Sequence, residues 1–263
     1  MDKPTAPVWV SVIVPIKNES ENLPRCLASV AWAGEIFVVD SESSDGSQEI
    51  AQKHGAEVVQ FAFNGTWPIL DADEVLPPAA EAEFRKAIAE AGTSAGYWIN
   101  RRFMFMGRWL RHAYYPNWSL RLFRHLLGRY EKLTEMATAS GDNEVHEHVV
   151  VQGPTGRLRC EMDHYASPSV EVFVEKHNRY SNWEARVAVA GEKAGTGLQS
   201  ARVAQRRRLE LLSKGPPFRP LLRFLYVYFW QRGFLDGVEG YYFARLHAFY
   251  EFLSVAKTHE LRK

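Results

Sequence analysis

Two carboxylates separated by one residue, Asp71 and Asp73, follow the apolar pair Ile69-Leu70 and precede Glu74. Alternate residues at a strand end face the same way, so this spacing predicts that both side chains approach one divalent cation. A hard cation takes oxygen ligands and can hold a diphosphate that bare carboxylates would repel. It would also neutralise charge on a departing phosphate. Taken alone, Asp-x-Asp is common by chance and is often a solvated turn. Its weight rests on the surrounding strands.

Further polar groups cluster at predicted strand ends, the usual ligand-binding edge of an open α/β sheet. Asp40 closes the run Val38-Val39-Asp40, placed to accept from a nucleobase N–H or a ribose hydroxyl. The following Ser43-Ser44-Asp45-Gly46 reads as a turn in which Asp45 caps the next helix. Arg101, Arg102, Arg121 and Arg124 offer planar forks suited to phosphate, a role expected of one or two of them. Cys26 and Cys160 are far apart and read as free thiols in a reducing compartment.

The elements that must position these groups alternate regularly. Val8 to Ile16, Glu35 to Asp40 and Glu57 to Phe63 read as strands, with helices over 20–30 and 47–54 between them. This βαβαβ order predicts a mainly parallel, Rossmann-like sheet flanked by helices. Pro77-Pro78 opens a helix to about Ala91. Strand-like runs follow at 97–105, 119–123, 146–151 and 157–165. Helical patterns begin at Ser169, so the division predicted is a catalytic domain over 1–168 and a helical extension over 169–263.

Within the extension, 216–256 combines many aromatic residues with Arg219, Arg223 and Arg232. It reads as helices packing on the protein, as an interfacial surface with arginines meeting anionic lipid, or as both. The formal net charge of +1 over 263 residues gives no overall attraction to nucleic acid, and none is expected as a partner. No basic-then-apolar signal segment opens the sequence and no apolar run reaches 18 residues. A cytoplasmic protein is expected, peripheral at the inner face of the cytoplasmic membrane.

In this order, "VSVIVPIKNESENLPRCLASV", "EIFVVDSESSDGS" and "ILDADE" resemble the family 2 glycosyltransferases with a GT-A fold. "VHEHV" at 145–149, "DHYAS" at 163–167 and "YFWQRGFLDGVEGYYFA" at 228–244 narrow the resemblance. Together they are similar to the lipopolysaccharide core enzymes that extend inner-core heptose. The resemblance implies a metal-dependent, inverting transfer of a hexose, glucose from UDP-glucose, onto that core or a related lipid-linked glycan. It implies Mg²⁺ or Mn²⁺ on Asp73 and Asp71 with His164, and a nucleotide pocket lined by Pro15, Asn18, Glu19, Asp40 and Asp71, with Arg101 a phosphate contact. Glu147 matches the general base, with Glu144 the alternative; a carboxylate there takes the acceptor hydroxyl's proton as attack proceeds. Two rivals stand beside this: a polyprenyl-phosphate glycosyltransferase, whose acceptor oxyanion needs no base, and a degenerate sugar-nucleotide-binding protein.

One length does not fit. In the GT-A sheet the strand ending near Phe63 lies at one edge, and the Asp-x-Asp strand lies beyond the first strand. That crossover is a path of more than about 20 Å, whereas the five residues from Asn64 to Pro68 span at most roughly 18 Å. Parallel crossovers ordinarily take a dozen or more residues. A segment of about 20 residues is therefore expected to be missing between Asn64 and Ile69, by deletion or omission.

Overall fold

The computed structural model describes residues 10–60, 70–124, 127–130, 149–193 and 218–263. The chain runs β1 (Ser11–Ile16), α1 (Leu23–Ser29), β2 (Glu35–Asp40), α2 (Ser47–Lys53), β3 (Glu57–Gln60), β4 (Glu74–Val75) and α3 (Ala80–Ala89). It continues through β5 (Gly96–Phe105), β6 (Arg108–Trp109), β7 (Trp118–Phe123), β8 (Gly128–Tyr130), β9 (Val149–Val151) and β10 (Thr155–Ser167). Two long helices, α4 (Val170–Lys193) and α6 (Gly237–Glu260), enclose the short α5 (Phe218–Leu225) in the sequence. The described residues of 10–104, 116–130 and 149–166 make one compact unit, and those of 105–115 and 167–263 make another.

In the first unit the parallel sheet forms as its β-branched runs require. β1 pairs with β2 from Ser11 opposite Glu35 to Ile16 opposite Asp40, and β2 pairs with β3. Val12, Val14 and Ile16 are buried, and α1 covers them with Leu23, Cys26 and Leu27. Each such Val or Leu side chain contributes about 1.5–3 kcal/mol by leaving water. On the other side of β1, the Leu70 N–H donates to the Ile13 carbonyl at 3.3 Å. So β3 lies at one edge and the Leu70 segment lies across β1, as the crossover argument requires. The junction itself, residues 61–69, lies outside the described residues.

A second sheet completes this unit. β4 pairs antiparallel with β10, setting Asp163 opposite Val75 and His164 opposite Glu74. β10 also neighbours β5, which pairs antiparallel with β7 through a register shift at Tyr97 and Trp98. Burial of Ile99 on β5 and Met162 on β10 joins this sheet to the same core as β1 and α1.

The second unit is helical, with a π-turn (Tyr226–Trp230) and a 3₁₀ turn (Gly233–Asp236) between α5 and α6. The Gln231 N–H reaches back five residues to the Tyr226 carbonyl at 2.8 Å. Gly240 is required here: a β-carbon on it would come within 2.0 Å of the Gly233 carbonyl oxygen. Buried Asp236 accepts from the N–H groups of Arg111, His112 and Ala113 at 2.8–2.9 Å. Among the described residues no helix is long and apolar enough to cross a membrane.

Candidate functional site

At the carboxyl ends of β1 and β2 the loops are tied side chain to backbone. Asn18 takes a left-handed conformation (φ 56°), its N–H donates to Ser43 Oγ at 2.9 Å, and its Oδ1 accepts from the Ser44 N–H at 2.9 Å. The Glu19 N–H donates to Ser47 Oγ, and the Ser20 N–H to Asp45 Oδ2. Asp45 also accepts from the Ser47 N–H, and hydrogen bonding from Ser47 and Ser20 outweighs desolvation to bring its pKa down to about 2. The residue in the cap position of α2 is Gly46 (φ 85°) rather than Asp45. Asp45 instead binds the two loops together.

Asp40 is fully buried, accepting from the Ser43 N–H at 3.2–3.3 Å and from Gln48 Nε2 at 2.8 Å. A nucleotide could meet its carboxylate only if Gln48 or Ser43 gave way. Pro15 is half-buried within β1, opposite Val39, while in the following loop Asn18 is exposed and Glu19 half-buried.

The acidic segment departs from the strand-end geometry expected of it. Residues 71–73 form a turn, closed by the Glu74 N–H donating to the Asp71 carbonyl at 2.9 Å, and pairing resumes only at Glu74. The two aspartates consequently part. Asp71 forms an ion pair with Arg121, whereas Asp73 meets His164 Nε2 at 3.4 Å. A turn in place of an extended strand removes the alternation that would have set both carboxylates on one ion.

Between them sits Glu74, with none of its side chain exposed. Its Oε1 lies 2.6 Å from Arg121 Nη2 and 3.4 Å from Arg101 Nη1, while its Oε2 accepts from the Asp71 N–H at 3.1 Å. Burial alone would raise its pKa, but Arg121 and Arg101 outweigh burial and hold it below the ordinary carboxylate range. Asp71 moves the other way, raised by desolvation and by Glu74 and Asp73 against the pull of Arg121. Arg101, expected at the donor phosphates, is committed to Glu74 and to Asn117 Oδ1 at 2.9 Å. Arg102 pairs with Asp163 at 2.8 Å and Arg124 donates to the Gly92 carbonyl. Beneath the turn, the Cys26 thiol lies 3.6 Å from the Asp71 carbonyl; burial, then the charges of Glu74, Asp73, Asp71 and Glu19, raise its pKa.

The expected ligand set of Asp71, Asp73 and His164 is not assembled. Among the described residues no three His, Cys, Asp or Glu side chains are grouped to hold a metal ion. Two of the three do converge, Asp73 and His164, and His164 Nδ1 is buried without a hydrogen-bond partner. An ion that draws most of its ligands from substrate phosphates and water fits this pair, since such sites need only one or two protein carboxylates. Asp71 joins only if its oxygen leaves Arg121. Glu147 and Glu144 lie outside the described residues.

Sequence reasoning missed Glu74 as a functional neighbour, and placed Arg121 only among four arginines offered to phosphate. The available signal was the third carboxylate of "DADE": a Glu drawn into the core by its position must be met by cations, and Arg101 and Arg121 are those cations.

The family described as "Glycosyl transferase family 2" matches residues 11–67. A lipopolysaccharide core biosynthesis glycosyltransferase of Rhizobium meliloti is 25% identical over 285 residues, covering 95% of this chain and 92% of its own. An uncharacterized glycosyltransferase of Rickettsia prowazekii is 26% identical over 271 residues, covering 96% of this chain and 87% of its own. Both alignments exceed the 263 residues of this chain, so both relatives carry residues that it lacks. Among solved structures, TarS of S. aureus gives 14% identity over 95% of this chain and 89% of its own, with a TM-score of 0.43. A glucosyl-3-phosphoglycerate synthase of Mycobacterium tuberculosis, in complex with Mn²⁺, UDP and glucosyl-3-phosphoglycerate, gives 18% identity and a TM-score of 0.30. That match covers 36% of this chain and 44% of the synthase.

Proposed function

We propose that the chain is a family 2 glycosyltransferase and that it transfers a hexose, with inversion, from a nucleotide sugar to a lipopolysaccharide inner-core heptose or a related lipid-linked glycan. UDP-glucose is the donor assigned. The observation that carries this reading is the approach of Asp73 to His164, 3.4 Å apart, beside the exposed edge of Asp71 (38% exposed) on the turn that follows Leu70. The core-biosynthesis relative supports the acceptor class.

Asp73 and His164 would hold Mg²⁺ or Mn²⁺, and the bound ion would supply positive charge to the donor diphosphate. Asn18, Glu19 and Pro15 line the donor side, with Asp40 shaping the loop from beneath. Glu147, or Glu144 in its place, is assigned as the base for the acceptor hydroxyl. An acceptor of this kind is lipid-anchored, and the enzyme would meet it at the inner face of the membrane.

The test is a panel of nucleotide sugars against lipopolysaccharide acceptors truncated at successive core sugars, with and without chelator. Transfer to one truncation, dependent on Mg²⁺ or Mn²⁺, is expected. Donor binding without transfer to any acceptor would identify a degenerate sugar-nucleotide-binding protein. Transfer to a polyprenyl phosphate that survives Glu147→Gln would establish the lipid-phosphate chemistry instead.

A further inference from the structure

Among the described residues, the helical unit presents an exposed apolar face. Phe218, Leu222, Leu225 and Phe229 are exposed at the spacing of one helical stripe, and Trp230 is 80% exposed. On α6, Val238, Tyr242, Phe249 and Phe252 form a second exposed stripe. The stripes are joined through contacting rings. Phe229 packs on Phe224 and Tyr228 at 6.3 and 5.1 Å, both of these meet Tyr241, and Tyr241 meets Tyr242 at 5.8 Å.

The charges around this face are sorted by sign. Between Phe218 and Glu260 the acidic residues are Asp236, Glu239, Glu251 and, at the far end of α6, Glu260. Asp236 is spent on three backbone N–H groups, Glu239 on Arg108, and Glu251 on Arg219 and Arg223. Arg219 and Arg223, which the sequence offered to lipid, are therefore consumed inside the unit. The exposed cations are Arg232, at the turn after Trp230, and Arg245, over the Phe224 ring at 5.8 Å within the second stripe.

We propose that this face docks on an anionic phospholipid surface, its rings entering the headgroup layer and Arg232 and Arg245 meeting lipid phosphates. Aromatic rings favour that layer, and an arginine stem lies along apolar surface while its head stays with the phosphates. Charge selects this occupant: a second copy would set Arg232 and Arg245 against like charges, whereas an anionic bilayer complements them. The inference rests on the lipid-anchored acceptor of the proposed function for its use, and its test does not involve turnover.

The full chain is sedimented with vesicles of phosphatidylcholine alone and of phosphatidylcholine mixed with phosphatidylglycerol. Binding to the mixed vesicles is expected, weakened by salt. Arg232→Asn with Arg245→Gln should reduce it about tenfold or more; Asn suits the left-handed backbone at 232 (φ 59°). Phe229→Ser with Trp230→Ser should reduce binding to both vesicle types. Light scattering of the same samples reports self-association. Equal binding to neutral and anionic vesicles, no effect of the arginine pair in a folded variant, or a dimer that forms without vesicle binding would each overturn the proposal. Transfer to a soluble, delipidated acceptor is measured separately, so failure of docking is distinguishable from failure of the glycosyltransferase reading.

Discussion

Two buried carboxylates, Glu74 and Glu251, are each held between a pair of arginines, in different units of the chain. Glu74 lies between Arg121 and Arg101, and Glu251 between Arg219 and Arg223. The inner geometry is similar: both glutamates are within 2% of full burial, and each takes a guanidinium at 2.5–2.6 Å. Their surroundings differ. The Glu251 cluster closes on itself through Glu184, which pairs with Arg219 at 2.7 Å and accepts from Ser254 Oγ. The Glu74 cluster opens at one end, where Arg121 also holds the partly exposed Asp71 and the next carboxylate, Asp73, meets His164. A buried charge cluster by itself reports only that desolvation has been offset. What marks one as part of a site is an unfinished edge facing a group that a ligand can reach.

The comparison can be broken by removing one carboxylate from each region. Glu251→Ala leaves Arg223 without its carboxylate and Arg219 with Glu184, and should cost about 3 kcal/mol, the low end for a broken buried pair. Urea denaturation of the full chain measures it, and transfer per folded molecule should be unchanged. Asp73→Asn should do the opposite: transfer falls by about 10²–10³ while the urea midpoint holds. A midpoint that falls with Asp73→Asn, or a turnover loss with Glu251→Ala in folded protein, would reverse the two assignments.

Glu74→Gln separates the regions more finely. It keeps shape and removes charge, so Arg121 turns more fully to Asp71 and should hold it more tightly. An ion that recruits Asp71 would then bind more weakly, and a shift in Mn²⁺ titration of the unloaded protein of about tenfold is expected. No change in Mn²⁺ binding would confine Glu74 to stability.

The most gradual effect is set by pH and belongs to the helical unit. Burial and the neighbouring His177 and Arg223 lower the pKa of His247 well below its usual 6.5, so folding keeps it neutral. The unfolded chain takes up that proton first, and stability should decline as pH falls below about 6.5, by up to about 1.4 kcal/mol per pH unit. Desolvation opposes it, but Arg219 lowers Glu184 to about 2, so its contribution is complete above 4.5 and is lost as pH falls from there toward 2. Urea midpoints across this range should fall in two stages. A midpoint independent of pH down to 4.5 would exclude the His247 contribution.

Much of the first unit was legible in the residues. Val/Ile runs of strand length bounded by turn residues predicted β1, β2 and β3, and β2 begins and ends at the residues expected, Glu35 and Asp40. The resemblance placed Asp73 near His164 across 91 residues, and the antiparallel pairing of β4 with β10 brings them together. What was not legible is which way a side chain turns once its backbone leaves a regular element. Asp71 and Asp73 read as neighbours on one strand face, but a turn at 71–73 divides them.

By itself, then, the sequence determined the alternating sheet, the resemblance to family 2 glycosyltransferases and the residue types gathered at one sheet end, because strand periodicity and short motifs are local properties of the chain. Only the tertiary structure decided which charges are spent and which are offered. Arg101 and Arg219 looked free to meet phosphate and lipid, and both are consumed by buried glutamates. An arginine's partner is set by what burial leaves unpaired near it, and that depends on segments remote in sequence: 101 with 74 in one unit, 219 with 251 in the other.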